Sequence, residues 1–108
     1  MRRAFAILAL ALTVATPVQA KPKRDPAVTR GHEVARQACA ACHAVDPGKS
    51  SPVPKAPPFA SREMQHVAGL EGRLAGLTGG GHYGMPPQTL TDQQVRDLLA
   101  YIVSLEAR

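Results

Sequence analysis

QACAACHAVDPGKS, residues 37–50, places both cysteines of a 108-residue chain three positions apart, with His43 directly after the second. A chain that spends its whole cysteine complement within five residues uses it at one point. The chemistry of that point decides the fold, and the flanking sequence decides the chemistry.

The N-terminus bears on the compartment first. Arg2 and Arg3 precede an uncharged, largely apolar run from Ala4 to Thr16, and Val18–Ala20 then puts small residues where a signal peptidase reads. Residues 1–20 are therefore expected to be a secretory signal. The apolar run is shorter than the roughly 20 residues that span a bilayer, which argues against a retained anchor and against stable membrane insertion after cleavage. Removal of 20 residues from 108 leaves 88, one small domain behind a polar leader at 21–24. A chain of that size buries only about 60–65% of its unfolded surface. With no Trp, two Tyr and two Phe, one of them in the signal, its side chains make a thin core. Loss of Arg2 and Arg3 takes the formal charge from +5 to +3, which is too weak for a nucleic-acid-binding surface. A mildly basic surface can steer an acidic protein partner.

Along the expected domain, 25–108, the pattern is helical. Asp25 followed by Pro26 is a helix start, and Val28, Gly31, Val34, Ala35 and Ala38 then form one face of a helix that runs into the cysteines. Pro47, Pro52, Pro54, Pro57 and Pro58 exclude helix and central strand between Asp46 and Phe59. Ser61 can cap a short helix, and Leu70, Leu74 and Leu77 share one side of another, weakened by Gly69, Gly72 and Gly76. TGGGHYGMPP, residues 78–87, is expected to be a loop that lets backbone approach something closely. Thr91 to Gln94 is a capping box, and Val95, Leu98, Leu99, Ile102 and Leu105 form the stripe of a terminal helix. No strand pattern or repeat is present, so the predicted class is all-α, with three to four helices.

Four chemistries use Cys-x-x-Cys. A disulfide between Cys39 and Cys42 closes a very small loop and constrains little of the unfolded chain. A thioredoxin-type pair needs βαβ patterning, which is missing. Zinc needs two further ligands, and His66 and His82 stand in no recognisable zinc spacing. Covalent haem attachment has Cys-x-x-Cys-His as its signature: two thiols one helical turn apart reach the two vinyl groups, and His43 then points at the iron. The signal and the motif together favour haem c, one per chain, through Cys39 and Cys42. A porphyrin also supplies the apolar bulk that the side chains lack.

CAACH, APPF and GHYGMPPQTLTDQQVRDLLAYIVSL together resemble class I c-type cytochromes, the small soluble monohaem proteins of bacterial electron transfer, over about residues 25–106. The resemblance implies a small cytochrome c fold wrapped around the haem. It implies that the Pro57 carbonyl accepts the Nδ1 proton of His43, leaving Nε2 for iron. It also implies Met85, before Pro86 and Pro87, as the sixth ligand, since a thioether suits the iron and the prolines stiffen its loop. Met64 reads instead as core, and His82 as a surface or propionate-side histidine and the one rival to Met85. Gly31 is expected to let Leu98 and Tyr101 approach at a crossing of first and last helices. Ala35 stands where the family often carries an aromatic ring.

With both axial sites filled, no position remains for a substrate, and the expected task is periplasmic transfer of single electrons between a redox protein donor and acceptor. No Ser/His/Asp arrangement suggests an enzyme. A haem subunit held permanently in a periplasmic dehydrogenase complex, and a gas-binding or peroxidatic haem protein, are the alternatives.

Overall fold

The computed structural model describes residues 9–17, 25–68, 71–82 and 84–106. Residues 9–17 of the expected signal are irregular and exposed; the rest of 1–20, the leader at 21–24, Gly69 and Leu70 lie outside the described residues. Four helices follow in order: α1 (Pro26–Ala38), α2 (Arg62–Ala68), α3 (Glu71–Gly80) and α4 (Asp92–Glu106). No strand occurs among the described residues, and the chain is all-α.

Helix α1 starts as its sequence dictates. The Asp25 carboxylate accepts from the Ala27 amide at 2.9 Å, and Pro26 occupies the first turn, where its missing N–H costs nothing. Helix α4 starts on a reciprocal pair: the Gln94 amide donates to Thr91 Oγ1 at 3.1 Å, and the Thr91 amide donates to Gln94 Oε1 at 2.8 Å. Ser61 Oγ accepts from the Met64 amide at 3.3 Å in the first turn of α2.

Helices α1 and α4 make the most extensive contact between helices in the fold. Gly31 and Ala35 are the buried residues of α1; Val95, Asp97, Leu98, Tyr101, Ile102 and Leu105 are those of α4. A side chain at Gly31 would overlap the Asp97 carbonyl and come within 2.8 Å of Tyr101 Cβ. The close approach at Gly31 is thus to Tyr101, as the sequence suggested, and also to the Asp97 backbone. The Asp97 carbonyl, turned to the crossing, is the nearest group. Arg30 Nε and Nη2 donate to Asp97 Oδ2 and Oδ1 at 2.9 and 3.1 Å, so the helix pair is also clamped by a forked ion pair.

The proline-rich stretch is an ordered loop. The Val53 amide donates to Cys42 O at 3.1 Å, the Phe59 amide to Ala44 O at 2.9 Å, and Ser51 Oγ accepts from the Ala44 amide at 3.0 Å. These bonds fold residues 51–59 back along residues 42–44, and the Phe59 side chain is fully buried as a result.

Helix α3 departs from expectation. Gly79 and Gly80 form its last turn, although the glycine run reads as loop. Leu74 and Thr78 are buried on the helix, Leu77 is half-buried, and Thr78 Oγ1 donates back to Leu74 O at 2.9 Å, so packing overrides the low propensity of glycine. The break comes at Gly81, whose φ of 73° is the left-handed conformation that ends helices.

Candidate haem site

The two cysteines sit where α1 ends. The Cys39 amide makes the last bond of the helix, to Ala35 O at 2.9 Å, and the Cys42 and His43 amides both turn back to Cys39 O, at 3.2 and 2.9 Å. This extra turn brings Cys39, Cys42 and His43 to one wall of a cavity of about 650 Å³, a size typical of cofactor sites. Cys39 and His43 are buried and Cys42 is half-buried; neither thiol is in a disulfide. Burial pushes the Cys39 thiol up to about 11, with the neighbouring Cys42 adding to it. At neutral pH it is a thiol, at home against apolar surface.

His43 Nδ1 lies 2.7 Å from Pro57 O. A carbonyl only accepts, so Nδ1 carries the proton, and in the neutral imidazole the lone pair is on Nε2. The Phe59 ring stands tilted against the imidazole, centroids 5.4 Å apart, which limits its rotation.

Met85 lines the same cavity, half-buried. Its position is set by a tight backbone loop in which the Met85 amide donates to His82 O at 2.7 Å and the His82 amide to Met85 O at 3.2 Å. Gly84, at φ 85°, makes that reversal possible. Gly81 provides the close approach: a Cβ there would fall 2.8 Å from Met85 O. His82 also borders the cavity but is exposed, and His66 is exposed on α2. Met64 is half-buried and packs against the core while lining the cavity.

The structure therefore brings Cys39, Cys42, His43, Pro57 and Met85 together from segments that the sequence holds up to 46 positions apart. Val53, Lys55, Glu63, Thr78 and Gln88 also line the cavity and carry no local signal in the sequence; the path of the proline-rich loop and the end of α3 assemble them. The walls are mainly apolar, with Lys55 and Glu63 adding opposite charges. Among the described residues, no group of three His, Cys, Asp or Glu could hold a metal ion.

The family model described as cytochrome C oxidase, cbb3-type, subunit III matches residues 26–102. The chain belongs to that family. No curated protein and no solved structure matches it. Membership in the cbb3-type subunit III family makes the chain a c-type cytochrome domain with covalently bound haem c, and Cys39 and Cys42 fit the attachment motif. The cavity fits that group: it is large, mainly apolar, and edged by two thiols and an imidazole of defined tautomer. Haem-based electron transfer between redox partners follows from the family. No helix among the described residues is long and apolar enough to cross a membrane.

Proposed function

We propose that the chain is a periplasmic electron carrier whose single haem c is ligated by His43 and Met85. The observation that carries this is the 2.7 Å contact between His43 Nδ1 and Pro57 O, which leaves Nε2 as the donor nitrogen in a cavity that Met85 also lines. The haem supplies a one-electron change at its iron. The protein's part is to hold the group through two cysteines, keep the His43 tautomer, and surround the iron with apolar side chains. Histidine–methionine ligation raises the reduction potential over bis-histidine and leaves the iron no open position.

Binding of carbon monoxide to the ferrous protein tests the sixth ligand. Wild type and His82→Ala should bind it slowly at neutral pH, while Met85→Ala binds rapidly, loses reduction potential and gains peroxidase activity. The reverse ranking of the two variants makes the sixth ligand His82. Rapid binding by wild type supports the gas-binding or peroxidatic reading.

The family's description as an oxidase subunit favours a second reading, in which this domain works inside a permanent complex instead of as a free shuttle. A periplasmic dehydrogenase complex is another possible host. Isolation from native cells separates these readings. A free carrier leaves with the periplasmic fraction, and a subunit stays with its complex.

A further inference from the structure

Ala35 is fully buried at the crossing of α1 and α4 but brings no ring to it. The ring that packs on Tyr101 belongs to His32, next to the crossing glycine: the centroids are 4.7 Å apart and the planes 25° apart. His32 Nε2 also lies 2.7 Å from Asp46 Oδ1. An ionised carboxylate only accepts, so Nε2 is the donor. The Tyr101 hydroxyl donates to Val45 O at 2.6 Å, with Asp46 Oδ1 3.4 Å away. His32 thus touches α4 through its face and the segment after His43 through its edge.

That segment is tethered on two sides. Residues 51–59 hold Cys42 and Ala44 through the Val53 amide, Ser51 Oγ and the Phe59 amide. Tyr101 and His32 hold Val45 and Asp46. His43 lies between the tethers with one hydrogen bond from its ring, to Pro57 O. The ring is joined to the backbone at Cβ, bonded at Nδ1 and flanked by Phe59, so a shift of the backbone on either side of it carries the ring plane along.

We propose that His32 is a positioning residue for His43, acting through Asp46 and Tyr101 to set the plane of the imidazole; this rests on the reading of His43 as the iron ligand. His32 supplies both the packing ring that Ala35 lacks and the donor that anchors Asp46. The α1–α4 crossing is thereby coupled to the iron side of the haem pocket.

The test uses haem-loaded protein with His32→Phe, which keeps a ring on Tyr101 but loses the donor, with Asp46→Ala, and with both together. The Asp46 side chain is 42% exposed, so its variant should fold even if the other does not. Two readouts apply: hydrogen exchange of the Phe59 amide, which bonds to Ala44 O, and the paramagnetically shifted ring resonances of His43 in the oxidised protein. Each single variant should speed Phe59 exchange about tenfold, the ratio given by roughly 1.4 kcal/mol, and move the His43 resonances. Amides of α4 should keep their wild-type rates, and the double variant should go no further than either single one. Equal acceleration of Phe59 and α4 amides would confine His32 to ordinary packing and overturn the proposal. So would unmoved His43 resonances, or single effects that add in full. Absence of shifted ring resonances from wild-type His43 would defeat the ligand reading itself, and with it this role, before any variant is made.

Discussion

Gly31 and Asp97 are single residues on which the α1–α4 crossing depends. Alanine at position 31 would be a better helix former than glycine by about 1 kcal/mol. Its Cβ, however, overlaps the Asp97 carbonyl, and overpacking of a filled core costs about 1–3 kcal/mol. The steric term wins. Gly31→Ala should unfold at lower denaturant concentration than wild type, and an unchanged midpoint would show that the helices can part without cost. Asp97 makes a second, pH-dependent contribution. The hydrogen-bonded Arg30 guanidinium holds its carboxyl below the usual carboxylate range, against the opposing pull of burial, with Gln93 helping. The unfolded state therefore takes up protons first as pH falls. The stabilisation is complete above the unfolded carboxylate value of about 3.9 and is lost as pH drops through the lower folded value. Thermal midpoints of wild type and Asp97→Asn, measured from pH 7 to pH 2.5, should converge at the acid end. A gap that stays constant over that range would mean the ion pair adds nothing.

At the scale of elements, α4 and the segment after α3 form opposite extremes. Helix α4 has its capping pair and six buried side chains. The stretch from 81 to 90 has the reciprocal His82–Met85 bonds and two ties to α3, from the Gly81 amide to Leu77 O at 3.1 Å and from the Gln88 amide to Thr78 O at 2.6 Å. It contains two left-handed glycines, Gly81 and Gly84, and most of its described residues are exposed. Local opening follows contact density and burial. In the haem-loaded protein the amides of His82 and Met85 should exchange faster than those of residues 95–105. Equal protection of the two regions would mean that Met85 is held as firmly as the helical core. Gly79 and Gly80 belong with the slower set, because they lie within α3.

For the whole molecule the cavity governs stability. Phe59, Leu98 and Ile102 are its largest fully buried side chains, worth about 1.5–3 kcal/mol each. Against them stands a space of about 650 Å³. Without a group to fill it, that space leaves its apolar walls without packing partners. An ordinary domain is stable by only about 5–15 kcal/mol, so loss of that packing weighs heavily. A chain with Cys39→Ala and Cys42→Ala should therefore fail to keep this fold, giving weak helical circular dichroism and no stable mature protein. Acid–acetone extraction of wild type should leave the haem on the chain, and colour in the solvent would contradict covalent attachment.

The sequence by itself determined the helical class, the start of α1 at Asp25–Pro26, the capping box of α4 and the attachment motif. Each rests on neighbours within about one helical turn, where residue type and spacing act directly. The Pro57 contact to His43 and the place of Met85 on the same cavity were expected only by resemblance, because these residues lie 14 and 42 positions from His43 in the chain. Only the tertiary structure decided that Gly79 and Gly80 are helical, that the Asp97 carbonyl meets Gly31, and that the His32 ring packs on Tyr101. These outcomes depend on which surfaces of distant segments face each other. Burial at Leu74 and Thr78 overrides the propensity of glycine, and the backbone exposed at Gly31 sets how closely two helices pack. No local pattern carries that information.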